Sequence, residues 1–296
     1  MLDFRIQTFL AVCRTMNFTE AAKQLHITQP AVSQHIHALE KTYGTELFQY
    51  HGKKMELTES GRLLLQAANA MNHDIRHLQE QIRQIAACRT LHFGATLTIG
   101  EYIMPEALTR LIRREPDIRL RMLIGNTEEL LKLMNNGEID FAVIEGFFQN
   151  NMYDSIVWKK ERFLPVCSPE YRFCREVSCL KDLLEERLLV RESGSGTREV
   201  LERALKEHNI LLEDFGRLTE LGNLNVIKSL VSDGTGISFF YESVVKKELE
   251  AGHLREIELT DFTLSHEFSF LWQKGSIFTP YYQEVFRLLH GDETDV

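Results

Sequence analysis

The first residues of the chain carry apolar side chains at helical spacing, and this pattern is interrupted twice. Ile6, Phe9 and Cys13 recur at intervals of three and four residues, which predicts a first helix. A second helix is predicted from Glu20 to Leu25, with Thr19 as its N-cap. Two short helices in this order are typical of a small helical head.

A third helix is predicted after a tight turn. His26 falls at this turn, which needs a positive φ, and His tolerates that region better than most residues other than Gly. Thr28 can cap the third helix, and Pro30 is acceptable in its first turn, because the missing N–H would have no helical partner there. The buried stripe of this helix is predicted to consist of Ala31 or Val32, Ile36 and Leu39.

Polar side chains of the third helix lie off its apolar stripe. Gln29, Ser33, Gln34 and His37 belong to this row. Gln can hydrogen-bond the edge of adenine in a bidentate way, and Ser adapts to several bases. A helix-turn-helix places its second helix in the major groove of DNA. The complete pattern of cap, turn, proline and stripe favours this function over that of an ordinary solvated helix.

A β-wing is predicted over residues 44–61, directly after the third helix. Its apolar anchors are Leu47, Phe48, Met55 and Leu57. The turn between them carries Lys53 and Lys54, which could meet phosphates or the minor groove. The position beside a helix-turn-helix favours a wing over a solvated loop.

Net charge divides the chain into two unlike parts. The whole chain carries -9, but residues 1–90 hold 10 Lys and Arg against 8 Asp and Glu, and residues 91–296 hold 24 against 35. The acidic part is therefore not the part that would face DNA. A head with so little positive charge would depend on a few placed contacts and on being at least dimeric.

A long helix without proline is predicted from Thr58, a plausible N-cap, to about Ala87. Its apolar side chains alternate at spacings of four and three, which is a heptad seam and favours pairing with a second copy over packing on the chain's own core. The seam consists of Leu64, Ala68, Met71, Ile75, Leu78, Ile82 and Ile85, and all of these except Ala68 and Ile85 are expected to make the dimer contact.

Beyond Thr90, short apolar runs alternate with helical segments, a pattern typical of α/β lobes with largely parallel sheets. The predicted strands are Leu91–Gly94, Leu120–Ile124, Phe141–Ile144, Phe163–Val166, Leu188–Val190, Leu218–Leu221, Gly236–Phe239 and Phe268–Trp272. The predicted helices begin near Gly100, Thr127, Leu180, Thr197, Asn225, Ser243 and Pro280.

Ligands of open α/β sheets lie beyond the carboxyl ends of the strands, and several short polar loops occupy such places here. The loop Gly194–Thr197 has two glycines that allow a ring of backbone N–H donors at the positive end of a helix, which suits an anion. A plain turn capped by Ser195 or Thr197 remains an alternative. Glu145 would repel an anion unless it points away or the ligand also has a cationic part.

The sequence shows no pattern for catalysis or metal binding: it has no GxSxG and no HExxH motif, and its five cysteines form no CxxC. The cysteines fit reduced thiols, although oxidation of Cys174 and Cys179 remains an alternative switch. No apolar run approaches the roughly 18 residues that span a membrane, and the N-terminus lacks a signal-peptide layout. We therefore expect a cytoplasmic protein that is not an enzyme, does not contact a membrane, and holds no cofactor or metal.

The run AAKQLHITQPAVSQHIHALE, followed by ELF and LTESG, resembles the LysR-type transcriptional regulators over the whole chain. The resemblance implies a winged helix-turn-helix domain at 1–58, a dimerisation helix at 59–89, effector lobe I at 90–162 plus 266–291, and effector lobe II at 163–265. The two α/β lobes would resemble type 2 periplasmic solute-binding proteins. One position departs from the family: Tyr50 stands where an Arg is usual, so a phosphate contact would be lost or moved to Lys53 or Lys54.

The resemblance also implies partners: double-stranded promoter DNA, a second copy bound through the linker helix, a tetramer of two such dimers, and a small effector that we expect to be an organic or inorganic anion. DNA contacts are expected from Thr19, Thr28, Gln29, Pro30, Ala31, Ser33, Gln34, His37, Lys53 and Lys54. Effector contacts are expected from Thr96, Thr98, Asn126, Thr127, Glu145, Gly194, Ser195, Gly196, Thr197 and Asn223.

The segment Gly194–Arg198 also resembles members of the family that serve sulfur assimilation or carbon fixation. A solute-binding protein or an enzyme with an incidental helical head is the alternative function. The lack of an export signal disfavours the first, and the lack of a catalytic constellation disfavours the second.

Overall fold

The computed structural model of the chain describes residues 3–52, 54–84, 89–148 and 150–291. Three helices form an N-terminal head: α1 (Phe4–Thr15), α2 (Phe18–Gln24) and α3 (Gln29–Tyr43). Their apolar faces enclose one core, because each helix is too short to bury its stripe alone. The fully or almost fully buried side chains of this core are Phe9, Ala11, Val12, Ala21, Ala22, Val32, Ile36, Leu39 and Leu47.

The turn and cap predicted before α3 are confirmed. His26 has a φ of 54°. The Oγ1 of Thr28 accepts the backbone N–H of Ala31 at 3.4 Å, and Pro30 lies in the first turn. These features together start α3 at the position that presents its first turn to solvent.

The predicted N-cap of α2 is wrong, because Asn17 and not Thr19 caps this helix. The Asn17 Oδ1 accepts the backbone N–H groups of Thr19 at 2.9 Å and Glu20 at 3.1 Å. Asn is at least as good a cap as Thr, and the helix therefore begins before Thr19, at Phe18. The ring of Phe18 packs against the core ring of Phe48, with 5.8 Å between centroids.

The wing follows as an antiparallel pair, β1 (Phe48–His51) and β2 (Lys54–Leu57). The linker helix α4 (Glu59–Gln84) begins directly after it. The predicted cap Thr58 is confirmed, since its Oγ1 accepts the N–H of Gly61 at 3.0 Å. Gly61 is required here, because a β-carbon at this position would lie 2.1 Å from the carbonyl oxygen of Leu47.

Two α/β lobes follow the linker. Lobe I is built on β3 (Thr90–Thr96), β4 (Arg119–Gly125) and β5 (Phe141–Ile144), with α5 (Met104–Arg114), α6 (Thr127–Asn135) and α10 (Thr279–His290). Lobe II is built on β7 (Arg187–Arg191), β8 (Arg217–Leu221) and β9 (Ser238–Tyr241), with α7 (Gly196–Glu207), α8 (Leu224–Ser232) and α9 (Glu242–Glu250). Two long strands, β6 (Tyr153–Cys167) and β11 (Leu264–Gln273), and the short β10 (Arg255–Glu256) complete the set.

The long strands β6 and β11 connect the lobes. Their antiparallel pairing joins Tyr153 with Gln273 at one end and Phe163 with Leu264 at the other. β11 also pairs with β5 of lobe I, and β6 pairs with β9 of lobe II, so one sheet runs through both lobes. The predicted lobe boundaries at 162/163 and 265/266 fall inside these strands and remain a prediction.

The sheets are mixed rather than largely parallel. Among the described strands, parallel pairing joins β3 to β4 and β5, and β7 to β8, while the pairs of β6 and β11 are antiparallel. The sequence predicts only Phe163–Val166 of β6 as strand, and the residues before it, including the charged run Lys159–Arg162, are not predicted. In the structure this run belongs to the strand, and Glu161 is its one buried side chain.

Candidate DNA-binding face and inter-lobe cleft

The predicted DNA-binding side chains of α3 lie on one face of the head. Val32 and Ile36 are buried at 0% and 3% exposure, so the helix turns its polar row outward. Exposed positions are Thr28, Gln29, Pro30, Gln34 and His37, and half-buried positions are Ala31 and Ser33. The Nε2 of Gln29 donates to the Oγ of Ser33 at 2.9 Å, which holds two of the predicted readers side by side.

The wing and α2 flank this face. Lys54 begins β2 and its side chain is 80% exposed, although it also pairs with Glu56 at 2.9 Å. Tyr50 is exposed on β1, where the resemblance leads one to expect Arg. Thr19 is exposed in the first turn of α2. Lys53, the other predicted wing contact, lies outside the described residues.

The predicted seam on α4 is exposed at three of its six described residues, and Ala68 is buried in the chain. Met71, Leu78 and Ile82 are 52%, 45% and 59% exposed, although each is a large apolar side chain. Ile75 is half-buried, and Leu64 packs partly against the core of the head. Ile85, the last residue of the seam, lies outside the described residues. An apolar stripe that stays in solvent on a 26-residue helix is typical of an interface.

Another face of α4 docks on lobe I through buried polar side chains. The carboxylate of Asp74 accepts from the Ser276 hydroxyl at 2.5 Å and from the Ile277 N–H at 3.0 Å. His73 contacts the Ile139 carbonyl oxygen at 3.3 Å. His77 is also buried, and its Nδ1 lies 3.2 Å from the carboxylate of Asp140. The sequence pattern did not predict this joint, although His73, Asp74 and His77 are polar residues at helical spacing beside the seam.

Glu145 is the centre of the inter-lobe cleft. It follows β5 directly and is 1% exposed. Its Oε2 accepts from the Thr96 hydroxyl at 3.2 Å. Its Oε1 accepts from Thr98 at 3.1 Å and from Thr197 at 2.6 Å. Thr96 ends β3 of lobe I, Thr98 follows it, and Thr197 belongs to α7 of lobe II, so one carboxylate joins the two lobes.

The lobes touch at two glycines. A β-carbon on Gly196 would lie 2.9 Å from the backbone of Gly146. One on Gly146 would lie 2.3 Å from the Thr127 hydroxyl. Only residues without a side chain permit this approach. The cleft is therefore closed around Glu145.

Burial dominates the electrostatics of Glu145. It raises the pKa of this carboxyl above its ordinary value, by more than the hydrogen bonds from Thr197 and Thr98 and the charge of Arg191 lower it. Arg191 is itself engaged, since its guanidinium donates twice to Glu192, at 2.7 Å each. No Lys or Arg of the described residues forms an ion pair with the carboxylate of Glu145.

Several other predicted cleft residues are used by the fold. Asn126 caps α6 by accepting from the Glu129 N–H at 2.8 Å, and Asn223 caps α8 by accepting from the N–H groups of Asn225 and Val226. Gly194 is exposed with a φ of 86°, and Ser195 is buried at the start of α7. Arg198, the neighbour of the Gly194–Thr197 loop, pairs with Glu202 and Glu220.

Other chemistry is sparse. The thiols of Cys174 and Cys179 are free, and each lies near a different carboxylate, that of Glu186 and that of Asp182. Across the described ranges, no three His, Cys, Asp or Glu side chains are arranged to hold a metal ion. None of the helices that the structure describes is long and apolar enough to cross a membrane.

Comparison with known families matches both parts of the chain. Residues 5–62 match the bacterial regulatory helix-turn-helix protein, lysR family, and residues 86–292 match the LysR substrate binding domain. The first match covers the head and the wing, and the second covers both lobes.

Curated relatives match along nearly the whole chain. The HTH-type transcriptional regulator CysL of Bacillus subtilis is 30% identical over 90% of this chain and 89% of that protein. The HTH-type transcriptional activator CmpR of Synechocystis is also 30% identical, over 92% of this chain and 89% of its own. The RuBisCO operon transcriptional regulator of Allochromatium vinosum is 25% identical over 93% and 91%.

Solved structures share the fold. Full-length LysG of Corynebacterium glutamicum with bound effector Arg superposes with a TM-score of 0.63 at 17% identity and covers 98% of each chain. A peroxide-bound mutant of OxyR from the same organism superposes with a TM-score of 0.61 at 22% identity, over 97% of this chain and 90% of that one. The two family matches and the relatives show that this chain is a DNA-binding transcriptional regulator of the LysR family, with a helix-turn-helix head and a two-lobed substrate-binding domain.

Proposed function

We propose that this regulator reads a dyad-symmetric promoter site as a homo-oligomer. The observation that carries the proposal is the combination of an exposed polar row on α3 with three exposed apolar side chains in the seam of α4. One head carries little net charge, so a second head is needed for useful affinity. Pairing through Met71, Leu78 and Ile82 would supply that head and fix the distance between the two reading helices.

The contacts with DNA are assigned as follows. The first turn of α3 enters the major groove, where Gln29, Ser33 and Gln34 reach base edges and Pro30 and Ala31 allow close approach. Thr19, Thr28, His37 and Lys54 lie around this face and hold backbone phosphates. Lys53 is proposed as a further phosphate contact, which would replace the contact of the Arg usual at position 50.

Control comes from a small molecule in the inter-lobe cleft. We assign Thr96, Thr98, Thr127, Ser195 and Thr197 to the lining of this cleft, and Asn126, Gly194, Gly196 and Asn223 to its walls. A ligand that binds one arrangement of the lobes better than another would shift the relative position of the paired heads and hence the bend of the DNA. The sequence predicts an anionic ligand, but we do not propose one, because the hydroxyl groups that would donate to an anion already donate to Glu145.

The test of DNA reading is selection of bound duplexes from a randomised pool by the full chain. We expect enrichment of a dyad-symmetric sequence whose half-sites are about one helical turn, or a multiple of it, apart. Binding without any enriched sequence would contradict the proposal, and enrichment of one isolated half-site would contradict the paired heads.

The reading face is tested with Gln29→Ala and Ser33→Ala on the selected duplex. Each substitution is expected to lower specific binding by about 1–3 kcal/mol per lost base contact, with little change on scrambled DNA. Thr42→Ala is the matched control, because Thr42 is exposed on α3 far from its first turn and donates only to its own helix, to the Ala38 carbonyl. Equal losses on specific and scrambled DNA would show that the reading face is elsewhere.

A further inference from the structure

The hydroxyl groups of the cleft already donate hydrogen bonds to a carboxylate of the chain. Thr96, Thr98 and Thr197 all direct their hydroxyls to the carboxylate of Glu145. Thr197 lies in the first turn of α7, whose positive end was expected to attract an anionic ligand. The carboxylate that this helix end and these hydroxyls favour is thus supplied by the chain.

The same carboxylate lacks a direct cationic partner among the described residues. A charge removed from water is costly unless it is paired or neutralised. The nearby cation Arg191 donates its Nε and Nη2 to Glu192 rather than to Glu145, and its buried Nη1 has no hydrogen-bond partner among the described residues. The buried carboxyl of Glu145 thus has three hydroxyl donors and no ion pair, and burial raises its pKa.

Two further buried hydroxyls beside Glu145 are unused. Thr127 Oγ1 and the Tyr241 hydroxyl have no hydrogen-bond partner among the described residues, although both residues are at least nine-tenths buried. Thr127 lies against the contact of Gly146 with Gly196, and the charge of Glu145 helps to raise the pKa of Tyr241, second to burial. Unpartnered buried hydroxyls are uncommon, and here one lies against Gly146, the neighbour of Glu145, and the other is influenced by the charge of Glu145.

The rim of the cleft is acidic as well. A β-carbon built on Gly194 would lie 3.8 Å from the Glu128 carboxylate, and one built on Gly222 would lie 3.9 Å from that of Glu192. Glu128 belongs to the first turn of α6 in lobe I, and Glu192 follows β7 in lobe II. The Glu128 carboxylate would attract a cation and repel an anion on its way in, whereas Glu192 is already paired with Arg191.

We propose that Glu145 sets the ligand class of the inter-lobe cleft: it is a tethered carboxylate that takes the place of a free anion, so the cleft binds a small organic cation with an ammonium or guanidinium group. The cation pairs with Glu145 and can donate to the Thr127 and Tyr241 oxygens. This proposal rests on the function of the cleft as the ligand site of the regulator.

The experiment measures binding of three probes to the full chain by calorimetry and thermal unfolding at constant ionic strength. The probes are ethylammonium, guanidinium at low millimolar concentration, and acetate. The proteins are the wild type, Glu145→Ala, Glu145→Gln, and the control Glu213→Ala, whose carboxylate is exposed in lobe II away from the cleft. Sodium chloride of equal ionic strength is the reference for each probe.

The wild type and Glu213→Ala are expected to bind at least one cationic probe and not acetate. Glu145→Ala is expected to reverse this preference, because acetate can fill the vacated space and accept from the three threonines. Its affinity for acetate should exceed that of the wild type by about tenfold or more. Glu145→Gln keeps the size but not the charge, so it should lose the cationic probe without gaining acetate.

Three results would overturn the proposal: equal acetate binding by the wild type and Glu145→Ala, no cationic probe bound by the wild type above the salt reference, or cation binding that survives in Glu145→Gln. If Glu145→Ala does not fold, the comparison of wild type with Glu145→Gln still decides. Selection of DNA by the wild type is a separate readout, so a failure of the ligand class leaves the DNA-reading function standing, and the reverse also holds.

Discussion

The first turn of α3 and the inter-lobe cleft use similar side chains in opposite ways. Both have Thr, Ser or amide groups at the start of a helix. On α3 these groups are largely exposed, and the hydrogen bond between Gln29 and Ser33 leaves further donors and acceptors open to solvent. In the cleft the hydroxyls of Thr98 and Thr197 are buried and satisfied by Glu145.

The α3 face has polar groups that are free to bind DNA. The cleft instead contains a carboxylate of the chain itself at the position where a ligand would bind. Exposed polar groups exchange water for DNA without first breaking a buried contact within the chain. Buried groups that already have a partner respond only to a ligand that offers more than that partner does. The cleft should therefore bind few kinds of ligand. The DNA affinity of the head should depend on how many copies of it bind together.

The largest expected effect comes from a substitution in the dimer seam. Leu78→Lys places a charge in the exposed stripe of α4, and burying one Leu contributes about 1.5–3 kcal/mol. Because the substitution occurs twice in a symmetric dimer, dimerisation should weaken by roughly a hundredfold to ten-thousandfold. DNA affinity should fall with it, because a single head remains. Sedimentation velocity and binding to the selected duplex measure both quantities.

Gln79→Lys is the matched control for the seam, since Gln79 is the exposed neighbour of Leu78 and the substitution adds the same charge. It should leave the dimer intact. Dissociation by both variants, or by neither, would mean that α4 does not pair through this stripe.

The next largest effect is expected from a substitution at the contact between the lobes. Gly196→Ala should destabilise the chain by about 1–3 kcal/mol, because the added methyl group would press on the backbone of Gly146, which cannot rotate away. Helix propensity alone predicts the opposite sign, since Ala is better than Gly in a helix by about 1 kcal/mol. Urea unfolding measures the change.

Gly222→Ala serves as the control for the glycine contact. The nearest atom to its added methyl group would be 3.9 Å away, an ordinary distance. We expect a change within about 0.5 kcal/mol for this exposed position. A stabilised Gly196→Ala variant would show that the lobes do not meet as described.

The smallest expected effect is a dependence of stability on pH. Burial raises the pKa of Glu145 above its ordinary value of 4.5, so the folded chain keeps this proton to a higher pH than the unfolded chain does. The resulting stabilisation is complete below the ordinary value and is lost as pH rises through the raised pKa. Glu145→Gln should abolish that loss and become relatively more stable as pH increases.

Urea unfolding of the wild type and Glu145→Gln across a pH series measures this slope. Glu213→Gln is the control, because its exposed carboxylate should leave the slope unchanged. Identical slopes for the wild type and Glu145→Gln would mean that Glu145 is not buried and proton-binding in the way described.

The head could be predicted from the sequence because its signals are local. The cap Thr28, the turn residue His26 and the stripe Val32 and Ile36 act within a few residues of one another. The misplaced cap of α2 is also a local error, since Asn17 and Thr19 are both good caps and only the backbone decides between them.

The cleft could be located but not interpreted. Strand ends and helix starts predicted where Thr96, Thr98 and Thr197 would gather. Their common partner Glu145 lies about fifty residues from each along the chain, and no spacing rule connects a carboxylate to hydroxyls at that distance. The contact of His73 and Asp74 with lobe I was not predicted for the same reason, since Ser276 is 202 residues from Asp74.

The most direct test of the central claim, that Glu145 holds the lobes together, is the distance between spin labels on lobe I at Lys132 and lobe II at Glu213, both exposed. The labels are attached through a noncanonical residue, because the chain has five cysteines. We predict one narrow distribution for the ligand-free wild type, a broader and longer one for Glu145→Ala, and recovery of the narrow one when acetate is added to that variant. A wild-type distribution that Glu145→Ala leaves unchanged would contradict the account.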